Sequence, residues 1–256
     1  MSATRRADLE RAAAALHAAM AVLRDFATRP IEYHHKPGGG PVTAADLAAD
    51  ATLRAMLPRG DDAWLSEESD DDPARLTAQR IWVVDPLDGT RSFVAGRPDY
   101  AVSIALVEAG EPVLGAIGCP VSGLCVLGSL ETGVEVQAAE TLPWPAGEGL
   151  RVLASRSEMR RGEWEPWQAR CRLLPVGSVA RKLALVAAGC ADGTWTLQPK
   201  HEWDVAAGAA LVRAAGGEVW LPRGGHLLWN RPRPRFLSFA AAAPGRRTAV
   251  ADLLGR

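Results

Sequence analysis

Lysine is scarce in this chain: of 29 basic residues only Lys36, Lys182 and Lys200 are lysines, and arginine supplies the rest. An excess of charge of either sign is also missing, since the formal net charge is −1. That removes the electrostatic footprint of a nucleic-acid or anionic-membrane partner. The four cysteines, Cys119, Cys125, Cys171 and Cys190, include no CxxC pair and no histidine spaced for zinc. They read as reduced, packed thiols rather than as a disulfide framework. A continuous membrane-length apolar segment is lacking too. The longest uncharged run, Pro112 to Leu130, is split by the turn residues Cys119-Pro120-Val121-Ser122-Gly123 and reads as two strands of a buried hairpin.

What is present is a chain of 256 residues, 48% hydrophobic and 23% charged, sufficient for one large globular domain or two small ones. Near the start, Leu9, Ala13, Leu16, Met20 and Leu23 recur at helical spacing, which predicts an amphipathic helix over 5–27. Arg5-Arg6 invites comparison with an export signal, but Asp8, Glu10 and Arg11 interrupt any apolar core, and a cytoplasmic location is expected. A Gly/Pro-rich loop over 29–43 follows. Thr43 then reads as the N-cap of a helix over about 44–56.

Strands are expected at 63–65, 81–84, 100–107, 113–118 and 123–128, and a loop-like stretch over 130–150. Beyond it come a strand at "RVLAS", a helix near 178–189, a strand at "TWTLQ" and an Ala-rich helix over 204–215. The mixture indicates an α/β (α+β) protein. The reading is a single domain, 1–256, with two lobes at approximately 1–140 and 150–256.

The chemistry gathers around "IWVVDPLDGT", residues 81–90. An apolar strand stops on Asp85, Asp88-Gly89-Thr90 follows, and Pro86 and Gly89 predict a tight turn after the strand on which both carboxylates converge. Carboxylates at the end of a buried strand are costly unless a cation shares them, and paired acids suit a hard divalent ion. The D-x-D-x-T/V spacing of haloacid-dehalogenase-type phosphatases is not met, because the second acid falls one residue late. Three further acidic stretches stand apart: Asp46 in "PVTAAD", Glu67 in "LSEES" and Asp204 in "EWDVAAG". Taken singly, Asp46 and Asp204 are helix-start acids and Glu67 is loop surface.

Together and in this order, these segments resemble the magnesium-dependent, lithium-sensitive phosphatases that include inositol monophosphatases and 3′(2′),5′-bisphosphate nucleotidases. The likeness runs from "VTAAD" through "SEES", "DPLDGT" and "WDVAAG" to "AAGG". It implies a layered αβαβα sandwich and two or three Mg²⁺ ions held by Glu67, Asp85, the Leu87 carbonyl, Asp88 and Asp204. It further implies that Asp46, Thr90 and Glu67 serve catalysis through an activated water, and that Gly89 and Thr90 offer backbone N–H groups to phosphate. The implied partner is a small-molecule phosphate ester, with no nucleic acid and no membrane. A homodimer rests on analogy with the family.

Substrate is less sharply indicated. Ser66, the Ser155-Arg156-Ser157 segment and the Arg181-Lys182 pair lean toward the nucleotidases, the pair being expected to meet a second phosphate. "TRSFVAGRPDYAVSIALV" resembles the inositol monophosphatases, and Glu202 is a candidate contact for a sugar hydroxyl. The preferred expectation is hydrolysis of 3′-phosphoadenosine 5′-phosphate to AMP and phosphate. Inositol 1-phosphate and fructose 1,6-bisphosphate stand as alternatives. A non-catalytic metal-binding scaffold is disfavoured, because none of the six key acids and hydroxyls has been lost. His34, His35 and Lys36 lie in the loop that closes over the metals in this family. Trp144, Trp164, Trp167 and Trp229 are expected to pack, and "RPRPR", 231–235, to form a surface turn before a strand.

Overall fold

A strand buried on both faces must lie between two layers, and the run Ile81–Val84 is such a strand. In the computed structural model, which describes residues 2–35 and 40–255, Trp82 and Val84 enter one core while Ile81 and Val83 enter another. The first half of the chain comprises α1 (Ala3–Ala27), β1 (Tyr33–His35), β2 (Pro41–Thr43), α2 (Ala44–Met56), β3 (Ala63–Ser66), β4 (Arg80–Asp88), α3 (Thr90–Val94), β5 (Ala101–Glu108), β6 (Glu111–Gly118), β7 (Cys125–Ser129) and β8 (Gly133–Gln137). The second half comprises β9 (Arg151–Ser155), α4 (Arg156–Arg160), β10 (Arg172–Val176), α5 (Val179–Ala187), β11 (Gly193–Thr196), β12 (Lys200–His201), α6 (Glu202–Ala214), β13 (Glu218–Trp220), β14 (Arg235–Phe236), β15 (Phe239–Ala242) and α7 (Arg247–Leu253).

Strands β3 to β8 form a six-stranded sheet in sequence order, parallel only between β3 and β4. The second sheet has the order β10-β9-β11-β15-β13. Strand periodicity then sorts the layers. Val102, Ile104 and Leu106 of β5 join Leu16, Met20 and Leu23 of α1 and Leu53 of α2 on the outer face of the first sheet. Ala101, Ala105 and Val107 join Leu183 and Leu185 of α5 and Val205, Ala209 and Leu211 of α6 on its inner face. Leu153, Val176 and Ala241 of the second sheet enter the same inner core, whereas Val152, Ala154 and Ala242 face Val250 of α7. The result is the αβαβα sandwich. Helix α6 lies in its middle, which is why its sequence is nearly all small: Ala206, Ala207, Ala209 and Ala210 are all fully buried.

The hairpin expected across Pro112–Leu130 is present as the antiparallel pair β6–β7. No helix among the described residues is long and apolar enough to cross a membrane. The four cysteines are free thiols, three of them buried. Trp164 and Trp167 pack with Trp195, while Trp229 is buried against Phe236.

Three local expectations need correction. Residues 133–137 form an edge strand rather than loop; its half-exposed side chains give it little apolar alternation. The loop over 29–43 contains the short antiparallel pair β1–β2. Strand β4 runs on through Asp88 instead of ending at Val84.

Candidate active site

The continuation of β4 shapes the site. Asp85 is opposite Ser103 and Asp88 is opposite Ala101, so three steps on β4 match two on β5. Residues i and i+3 of a regular strand point to opposite faces; the one-residue bulge brings Asp85 and Asp88 toward the same region. The two acids therefore sit on an irregular strand and not on a turn after it. The Leu87 N–H donates to Asp85 Oδ1 at 3.0 Å. Gly89 ends the bulge at φ 97°, and a Cβ there would lie 2.8 Å from the Asp99 carbonyl oxygen. Both facts demand glycine.

Glu67 follows β3, and its N–H donates to the Val84 carbonyl. The surrounding loop is tied to α2, because the Ser66 and Ser69 hydroxyls donate to the two oxygens of Asp50 at 2.5 and 2.7 Å. Asp204 is in the first turn of α6 and accepts the His201 N–H at 2.8 Å. Asp88 Oδ2 accepts the Ser178 hydroxyl at 2.6 Å and the Ala180 N–H at 2.5 Å, which joins the bulge to the start of α5. Carboxylate oxygens of Glu67, Asp85 and Asp204 all lie within 4.8 Å of one another.

Such convergence is electrostatically unfavourable without a cation. Burial, followed by the charges of Glu67, Asp88 and Asp204, holds the Asp85 carboxyl well above the usual range. Burial also raises Asp88, against the hydrogen bonds from Ser178 and Ala180. Asp204 is pushed up to about 7 by burial, with Asp88 adding to the effect and Lys200 opposing it. An all-oxygen set of mutually repelling carboxylates fits a hard divalent ion.

Asp46 is fully buried behind this group. Its Oδ2 accepts the Thr43 N–H at 2.8 Å and the Thr43 hydroxyl at 2.6 Å, so the N-cap expected at Thr43 is a full capping box. Its Oδ1 lies 3.0 Å from the Thr90 hydroxyl oxygen, which is also 3.1 Å from the Leu87 carbonyl. One proton on Thr90 thus serves either acceptor. Burial lifts the Asp46 carboxyl above its ordinary range despite these hydrogen bonds.

A cleft of about 560 Å³ opens at the group, and Glu67, Leu87, Asp88, Gly89, Thr90 and Asp204 are among its lining residues. That is within the ordinary range for small-molecule sites. Arg91, Arg97, Arg156, Arg160 and Lys200 also line it.

Arg181 and Lys182 are placed differently from the expectation, and neither lines the cleft. Arg181 is buried, donating to Asp99 at 2.7 Å and to Glu140 at 2.5 Å. Lys182 is 1% exposed, and burial drives its ammonium down to about 8. Glu202, expected to meet a sugar hydroxyl, likewise does not line the cleft: it is fully buried and accepts the Asn230 and Arg231 N–H groups. Charge alone could not reveal that these three face inward. His34 and His35 lie on exposed β1, and Lys36 lies outside the described residues. Arg97 and Arg160 had no signal in the sequence beyond their charge. Lys200 did, as one of three lysines and four residues ahead of Asp204.

The comparisons agree with this geometry. The model of the inositol monophosphatase family matches residues 5–249. The 3′(2′),5′-bisphosphate nucleotidase CysQ of Salmonella typhimurium is 36% identical over 245 residues, covering 87% of this chain and 90% of its own. The 3′-phosphoadenosine 5′-phosphate phosphatase of Mycobacterium bovis is 33% identical over 221 residues, covering 82% and 81%. Among solved structures, the extragenic suppressor protein suhB from Bartonella henselae superposes with a TM-score of 0.80 at 27% identity, covering 98% of this chain and 99% of the other. CysQ from Bacteroides thetaiotaomicron superposes with a TM-score of 0.75 at 26% identity, covering 93% and 97%. With the family model spanning nearly the whole chain, the protein belongs to the inositol monophosphatase family and is a phosphoric monoester hydrolase.

Proposed function

We propose that the protein removes the 3′-phosphate from a 3′,5′-bisphosphorylated nucleoside, with 3′-phosphoadenosine 5′-phosphate giving AMP and phosphate. The observation that carries this reading is that one cleft is lined both by carboxylates of the cluster and by the guanidiniums of Arg156 and Arg160. A substrate with one phosphate uses the first; a second phosphate would give these guanidiniums a further anion to meet. The names of the Salmonella and Mycobacterium relatives support the same substrate class.

Glu67, Asp85, Asp88, Asp204 and the Leu87 carbonyl would hold magnesium. When bound, magnesium neutralises phosphate charge and lowers the pKa of a coordinated water. The chain's own part is positioning and proton handling. Thr90 Oγ1, in contact with Asp46 Oδ1, accepts the hydrogen bond of the attacking water and passes proton density toward the buried carboxylate. The Gly89 and Thr90 N–H groups, at the start of α3 where no intrahelical acceptor exists, point the phosphate for in-line attack. The product alcohol leaves as the 3′-hydroxyl.

Phosphate release with magnesium, compared by kcat/KM for 3′-phosphoadenosine 5′-phosphate, inositol 1-phosphate and fructose 1,6-bisphosphate, tests the reading. A preference for the nucleotide of about a hundredfold, roughly 3 kcal/mol of differential transition-state binding, is expected. A preference for inositol 1-phosphate would overturn the substrate assignment and leave the phosphatase chemistry standing.

A further inference from the structure

Asp99, which is outside every motif of the site, touches both halves of it. It is buried in the segment before β5. Its Oδ2 accepts Nη2 of Arg156, and its Oδ1 accepts Nη1 of Arg181 at 2.7 Å. Arg156 Nη2 also donates to the Pro175 carbonyl. Arg181 is then completed by Glu140 on its Nη2. The buried Asp99 and the half-buried Glu140 thus balance two guanidiniums.

The two arginines are not equivalent. Arg181 is enclosed, with both terminal nitrogens bonded to carboxylates, whereas the Arg156 side chain is 32% exposed and lines the cleft. Among the described residues no acceptor is bound to Arg156 Nη1. The guanidinium is therefore held through Nη2 alone, with Nε buried and unbonded and Nη1 left over for a ligand.

The anchor itself is held firmly. A Cβ on Gly89 would lie 2.8 Å from the Asp99 carbonyl oxygen, and one on Gly177 would lie 3.2 Å from Asp99 Cβ. Asp99 is thereby clamped between the DGT segment and the entry to α5. Displacing it would move the phosphate-facing turn and the Arg156 guanidinium together.

From this geometry we propose that Asp99 is a positioning residue for substrate specificity: it fixes the Arg156 guanidinium, buttressed by Arg181 and Glu140, so that its free Nη1 meets an anionic group of the substrate remote from the scissile phosphate. The proposal deepens the two-phosphate reading of the cleft and rests on it for the identity of that anion.

Asp99→Asn keeps the shape and removes the charge. A hydrogen bond to a charged group contributes about 1.5–3 kcal/mol, so KM for adenosine 3′,5′-bisphosphate should rise about tenfold or more, while kcat stays within about threefold. Arg156→Gln should do the same, and the double variant should be no worse than Arg156→Gln alone. With adenosine 3′-monophosphate, which lacks the second anion, Asp99→Asn should leave KM within about twofold of the parent. An equal rise for both nucleotides, a loss confined to kcat, or full additivity with Arg156→Gln would overturn the proposal.

Arg156→Lys, which leaves Asp99 in place but removes the fork, is the second variant should Asp99→Asn fail to melt cooperatively. It should raise KM for the bisphosphate at least about fivefold despite the retained charge, and an unchanged KM would overturn the positioning role. If the parent enzyme instead prefers inositol 1-phosphate, the nucleotide reading falls separately. The Asp99→Asn and Arg156→Gln cycle measured on inositol 1-phosphate then decides the role of Asp99: non-additive KM values uphold it, and additive ones overturn it.

Discussion

Replacing Lys182 by methionine should make the protein more stable at neutral pH. The side chain is 1% exposed, and its ammonium has no hydrogen bond or ion pair among the described residues. Burial lowers its pKa from 10.5 to about 8, with Lys200 adding to the effect and Glu158 and Asp88 opposing it. At about 1.4 kcal/mol per pH unit, that change corresponds to about 3 kcal/mol of strain carried by the charged form in the fold. The sign follows from proton counting. Between about pH 8 and 10.5 the unfolded chain binds the proton and the folded protein does not, so stability rises with pH across that window. Below about pH 8 the full cost is present.

Methionine matches the lysine stem in length and needs no charge solvation. Urea unfolding of the metal-free protein should give Lys182→Met an advantage of about 2–3 kcal/mol at pH 7, shrinking toward zero as pH approaches 10.5. A destabilised variant at pH 7, or an advantage independent of pH, would refute the reasoning.

Other outcomes follow from the same geometry. Thr90→Val removes the hydroxyl shared by Asp46 and Leu87; kcat should fall about 10²–10⁴-fold, read by phosphate release, while thermal unfolding shifts little. Gly89→Ala places a methyl 2.8 Å from the Asp99 carbonyl at a positive φ; a loss of about 1–3 kcal/mol in stability, measured by denaturant unfolding, should accompany a fall in kcat. Glu202→Gln weakens the buried anchor of residues 230–231; stability should drop by about 1–3 kcal/mol, whereas kcat/KM, measured at a temperature where the variant is folded, should change less than about threefold if Glu202 makes no substrate contact.

Short local patterns placed the acids on their elements, but their joint role as one site was legible only through the resemblance. Thr43 and Asp46 form a capping box within four residues, and Asp204 opens a helix whose small residues announce a crowded interior. The layered sandwich was legible only through resemblance, since alternation along β4 and β5 gives burial on two faces but not what covers them. Arg181 and Lys182 were misplaced for a long-range reason. The partners of Arg181, Asp99 and Glu140, are 82 and 41 residues away in sequence, and no local pattern links them. The same distance hid Asp99. The bulge at Asp85–Asp88 escaped because Pro86 and Gly89 signal a turn and a strand irregularity equally well.

The central claim is that the carboxylate cluster is a metal centre serving phosphate hydrolysis. Its most direct test is titration of chelator-stripped protein with magnesium, following heat of binding and phosphate release from 3′-phosphoadenosine 5′-phosphate in parallel, for the parent and for Asp85→Asn. The account predicts saturable binding, activity that is absent after stripping and returns over the same magnesium range, and loss of both in Asp85→Asn. Full activity in stripped protein, or magnesium binding and turnover undiminished in Asp85→Asn, would contradict it.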